Sequence, residues 1–283
     1  HLALPFRLPL GPTIVGEWFG PRITNTLSHS GYAAVYAFFV ISGFLIAKRV
    51  LVRYGSFGAI DLRHFYLQRA SRILPLLLAL LIVLSVLHLA AVPGFVIDKP
   101  GQSLAGAWFA ALGLHLNWYE GQTGWLPGNW DVLWSLSIEE LFYLLFPIAC
   151  WLLPRQILIV FLLFLVASLP WTRGALDGQE IWQEKAYLPA MSAIALGVLA
   201  AQIAQEARPS PMFARSLLVL GGIGFAGALL ASGELWRALG HSSMLFIAAS
   251  VATVLLGCHW LQAAAPTGLG WLARMGRLSY ELY

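Results

Sequence analysis

The sequence predicts an all-α fold, a polytopic transmembrane helix bundle with about eight spans. Three observations predict it. First, 59% of the 283 residues are hydrophobic and only 11% are charged, where a soluble domain carries about 25% charge. Second, the mean hydropathy is +0.75. Third, stretches free of Asp, Glu, Lys and Arg recur at lengths near the roughly 20 residues a bilayer core demands. The 12 Trp, 16 Phe and 9 Tyr supply the rings that settle at a lipid–water boundary. This composition excludes a disordered chain, a fibrous repeat and a disulfide-stapled secreted scaffold.

The spans follow in order. Residues 23–47 form the first, with an apolar heart at 31–52. Residues 73–97 form the second, with Pro75 at its entrance, where a missing N–H costs nothing. Residues 100–119 are a weaker, Gly-rich candidate, and 131–153 carry two glutamates. Residues 156–172, 186–205 and 216–233 follow, and the uncharged stretch 238–273, most apolar at 243–261, completes the set. Gly221, Gly222, Gly224 and Gly227 read as a close-packing helix face. The start at His1 and the stop at Tyr283 lead us to expect a single domain, residues 1–283, cut short at both ends.

Charge sets the orientation. Lys48, Arg49, Arg53, Arg63, Arg69 and Arg72, six of the chain's 17 basic residues, lie between the first two apolar stretches. The positive-inside rule places that segment in the cytoplasm. Arg69 and Arg72 stand three apart, so a helix puts both on one face. Two guanidiniums there suit a phosphorylated ligand.

Glu139 and Glu140 are the residues an apolar span should not contain. Glu139 lies roughly 12 Å along a helix from Asp131, at a depth where an acid costs about 2.5–3.5 kcal/mol and is functional by default. Ser135, Glu139 and Tyr143 share one stripe at i, i+4 and i+8. Glu140 shares its own stripe with Leu136 and Leu144 and ranks lower. Ser42-Gly43, in the middle of the first span, permits close approach by another helix or by a ligand. His1 and His29 both precede that span. The other histidines show no metal-ligand spacing, and Cys150 and Cys258 imply neither a disulfide nor a thiolate metal site.

Four segments resemble the membrane acyltransferase family 3, whose members O-acylate glycans and related exported molecules. They are Phe38 to Ile46, Tyr66 to Pro75, Trp134 to Tyr143 and Gly276 to Tyr283. The resemblance implies a core of about ten helices, of which eight are present here. It also implies an acyl-CoA co-substrate, acetyl-CoA by preference, entering from the cytoplasm, with no bound cofactor or metal. The acceptor would be a glycan or related hydroxyl compound, and the setting a bacterial inner membrane. His1 would match the family's catalytic histidine, with His29 as its rival and Glu139 assisting. Arg69 and Arg72 would hold donor phosphates, while Ser42, Trp134, Ser135 and Tyr143 would line the pocket. The rival class is an ion-coupled transporter of a polar or anionic solute, because buried carboxyls and basic vestibules mark carriers as well.

Overall fold

The structure, a computed structural model, describes residues 31–261. Its helices are α1 (Gly31–Tyr54), α2 (Leu62–Leu89), α3 (Leu104–Leu112), α4 (Leu116–Thr123), α5 (Gly128–Asp131), α6 (Leu133–Leu152) and α7 (Arg155–Ala167). There follow α8 (Leu169–Gly174), α9 (Glu180–Lys185), α10 (Tyr187–Glu206), α11 (Pro211–Leu230), α12 (Ser232–Leu239) and α13 (Ser243–Leu261). Among the described residues, six helices or helix pairs are long and apolar enough to cross a membrane. The molecule is an integral membrane protein.

Two of the eight apolar stretches fold shorter than their composition suggests. Residues 100–119 break into α3 and α4, of 9 and 8 residues, because the chain turns at Gly113 and Leu114, the latter in the left-handed region at φ 57°. Residues 156–172 break at Ser168, leaving α7 with 13 residues. That is about 20 Å of helix against a hydrocarbon core of about 30 Å.

The second span departs the other way. α2 begins at Leu62, capped by the Asp61 carboxylate accepting the His64 N–H at 3.0 Å. Pro75 therefore sits inside the helix rather than at its entrance, and Arg69 and Arg72 ride on the helix itself.

α10 is the central helix, packed against α1, α7 and α13. The α1–α10 seam is backbone on backbone. A Cβ on Gly43 would fall into the Ile194 carbonyl, and one on Gly197 into the Val40 carbonyl. α11 packs on α13 by the same device, with Gly221 and Gly224 against Ser250, while Gly222 and Gly227 face open space. Only part of the predicted glycine face is therefore a packing face. α2 shows lipid a row of exposed Leu, Ile and Val side chains, including Leu76, Ile82 and Val86.

Contacts between helix ends sort the bundle into two faces. Arg53–Gln68, Arg155–Glu206 and Trp260–Ala204 gather at the end bearing Lys48 and Arg49, the face assigned to the cytoplasm. Asn117–Lys185 and Asp177–His241 lie toward the opposite end.

Candidate active site

α6 carries the acids into the bundle. The Glu139 side chain is only 2% exposed, so it faces protein rather than acyl chains. The hydroxyl beside it is that of Ser42 of α1, which also stands next to Tyr143. The Oε1 atom of Glu139 is buried without a hydrogen-bond partner. An orphaned carboxylate oxygen at such depth is costly, and functional sites are where such costs persist.

Glu140, one position on, turns to α2. It accepts a hydrogen bond from Arg69 Nη2 at 2.7 Å. The Arg69 guanidinium also lies 3.8 Å above the centre of the Tyr143 ring. It is thereby held by an ion pair and a π face at once. Tyr66 clamps the same two helices, its hydroxyl donating to the Leu144 carbonyl at 2.6 Å. The five side chains Ser42, Arg69, Glu139, Glu140 and Tyr143 thus form one cluster from three helices.

Arg69 has a second role in the geometry. With Arg49, Arg53, Tyr54, Gln68 and Arg72 it lines a groove at the Lys48–Arg49 end of the bundle. The structure therefore brings Arg69 and Arg72 together as their spacing predicts, and Arg69 joins that groove to the acids. Trp134 is buried against Phe39, rings edge to face at 6.0 Å, one to two helical turns further from the Lys48–Arg49 end than Glu139. Ser135 does not join the cluster by any recorded contact. Its hydroxyl turns back to the Val132 carbonyl at 3.3 Å, and the hydroxyl beside Glu139 comes from Ser42 instead. His1 and His29 lie outside the described residues. No group of three or more potential metal ligands occurs among the described residues.

Two elements escaped the sequence reading. Glu140 was ranked below Glu139, yet it is the partner of Arg69, 71 positions away, and no local pattern signals such a pairing. The other is a buried charge cluster nearer the opposite face. There Lys185 Nζ donates to Glu120 Oε2 at 2.7 Å and also to Asp131, with the Trp125 ring 4.1 Å away.

A helical membrane domain with an acid–arginine cluster opening on a cationic groove defines the class of protein. A family model described as an acyltransferase domain, of the acyltransferase 3 group, matches residues 1–283. The chain belongs to that family and is a membrane acyltransferase domain. Similar curated proteins include SACOL0978, a candidate O-acetyltransferase of Staphylococcus aureus (strain COL), 34% identical over 122 residues. O-acetyltransferase OatA of Staphylococcus aureus (strain NCTC 8325 / PS 47) is 33% identical over 129 residues. Each match covers 42% of this chain and 20% of the relative, so the matched segment spans about a fifth of the length of those proteins. No solved structure matches.

Proposed function

We propose that the chain transfers an acyl group, acetyl by preference, from cytoplasmic acyl-CoA to a hydroxyl of a glycan or related acceptor in a bacterial inner membrane. The observation that carries this reading is Arg69, which spans from the cationic groove to the intramembrane acids. A phosphate-rich donor held by Arg72 and its neighbours would leave its thioester end directed toward Glu139 and Tyr143. Guanidiniums suit this work because their forked donors match phosphate oxygens.

The reaction itself is a simple exchange. The acceptor oxygen attacks the thioester carbonyl, a C–O bond forms, the C–S bond breaks, and the hydroxyl proton ends on the departing thiolate by way of a base. We assign that base to His1, acting directly or as a transient acyl carrier, with His29 as the rival. Glu139, whose Oε1 lacks a partner, would accept an imidazole N–H and orient the ring, as the third member of a triad does. Tyr143 and Ser42 stand beside the carboxylate, and Trp134 and Ser135 would flank the acceptor side.

The test is product formation. Purified protein in proteoliposomes, given acetyl-CoA and a glycan acceptor, should yield a new ester by mass spectrometry. Uptake of a solute with no ester would return the carrier reading and overturn this one.

A further inference from the structure

A second cationic cleft lies on the other side of α1. Lys48, Gln205, Arg208, Pro209, Cys258, His259 and Trp260 enclose about 590 Å³, drawn from the ends of α1, α10 and α13 and from the link between α10 and α11. Lys48 and Arg49 are consecutive, so a helix turns them about 100° apart. Arg49 lines the first groove and Lys48 the second. The cytoplasmic end of α1 is thus a wall between two basic clefts.

The second cleft is built for an anion. Among the described residues its lining holds two permanent cations and an imidazole but no carboxylate. Among the described residues, no carboxylate pairs with Lys48 or Arg208. Glu206, the acid nearest Arg208 in sequence, is engaged by Arg155 and Gln202. The walls are fixed rather than loose. Trp260 Nε1 donates to the Ala204 carbonyl at 3.2 Å, and His259 stands edge to face on Phe44 at 6.1 Å. Two like charges, one from α1 and one from the α10–α11 link, repel one another without a counter-charge among the described residues, and a dianionic ligand removes that repulsion. The level in the membrane matters too, because an indole and flanking cations mark the headgroup region.

We propose that Lys48, Arg208 and His259 bind a phosphate ester at the cytoplasmic membrane face, at a site separate from the Arg69–Arg72 groove. Lys48 and Arg208 supply charge-assisted hydrogen bonds to phosphate oxygens, and His259 adds a third polar contact. The phosphate can come from a lipid headgroup or from a soluble ester, since both present the same oxygens. This inference does not depend on acyl transfer and is tested without a donor.

The experiment compares delipidated wild-type protein with Lys48→Gln/Arg208→Gln. Phosphatidic acid is titrated and read by native mass spectrometry, and inorganic phosphate is titrated at constant ionic strength and read by thermal shift. Loss of each charge-assisted bond should weaken binding about tenfold, so the double variant should bind about a hundredfold more weakly. Loss of lipid binding alone identifies a headgroup site, and loss of the phosphate response identifies a soluble one. Equal affinity of wild type and double variant for both probes overturns the proposal. So does loss in Arg72→Gln with none in Lys48/Arg208. Should the double variant not fold, Arg208→Gln alone, in a link between helices, is read by the same criteria.

Discussion

Two clusters of charge are buried in this bundle, and they are built in opposite ways. Lys185 is 1% exposed and Glu120 is fully buried, yet each charged group is paired, and the orphaned atom beside them is the neutral Asn117 Oδ1. Glu120 accepts the Lys185 ammonium on one oxygen and the Leu126 N–H on the other. The ammonium is shared with Asp131 and lies between the rings of Trp125 and Trp134. The Glu139 cluster keeps one carboxylate oxygen unanswered and opens through Arg69 onto a groove. Buried charge alone therefore does not mark a site. What separates the two is that the unanswered atom is a carboxylate oxygen in one and a neutral amide oxygen in the other, and that Arg69 borders a cationic groove; the Lys185 cluster reads as a tie between α4, α5 and α9.

This contrast can be broken or sharpened by mutation. The largest effect is expected at Glu139→Gln, which keeps shape and removes the carboxylate charge that would orient the imidazole. Turnover should fall by about 10²–10⁴-fold with an unchanged melting temperature, measured as ester formation. Wild-type turnover would erase the distinction between the clusters. Lys185→Met should act on stability instead. Removing one partner from a buried network costs about 3–5 kcal/mol, readable as a lowered melting temperature in detergent. Molecules of that variant that do fold should retain turnover.

Arg72→Ala should raise the donor KM about tenfold, the loss of one charged contact to phosphate, with little change in kcat. Arg69→Ala is a poorer probe because it also orphans Glu140. The smallest effect concerns pH. Glu120 lies on α4, outside the spanning helices, and burial, with Asp131 adding and Lys185 opposing, raises its carboxyl to about 8. A group whose folded pKa exceeds its unfolded value binds its proton more tightly when folded. Its contribution is full below the ordinary carboxylate range and is lost as pH rises toward 8. The melting temperature should therefore decline from pH 5 to pH 8, and Glu120→Gln should flatten that slope.

Much of the bundle is legible in the sequence because lipid demands uninterrupted apolar length. α1, α10 and α13 lie where charge-free stretches place them. The break in α3–α4 is hidden because Gly113, Leu114 and the residues around them are as apolar as a true span. The early start of α2 is hidden for the converse reason. Arg69 interrupts the charge-free count, yet Glu140 neutralises it and the helix runs on. At the site, depth singles out Glu139 and spacing pairs Arg69 with Arg72. The hydroxyl beside Glu139 is not legible, since Ser42 reaches it from a helix nearly a hundred residues away and the in-line Ser135 turns elsewhere.

The seam between α1 and α10 bears on how the pocket meets its substrates. Gly43, beside Ser42, touches the main chain of Ile194 so closely that no side chain fits between. Ser42 is therefore mounted on a spine that cannot give way, and its hydroxyl moves only by turning about its own side-chain bond. A guest that binds there can choose among a few hydroxyl directions but cannot part the two helices.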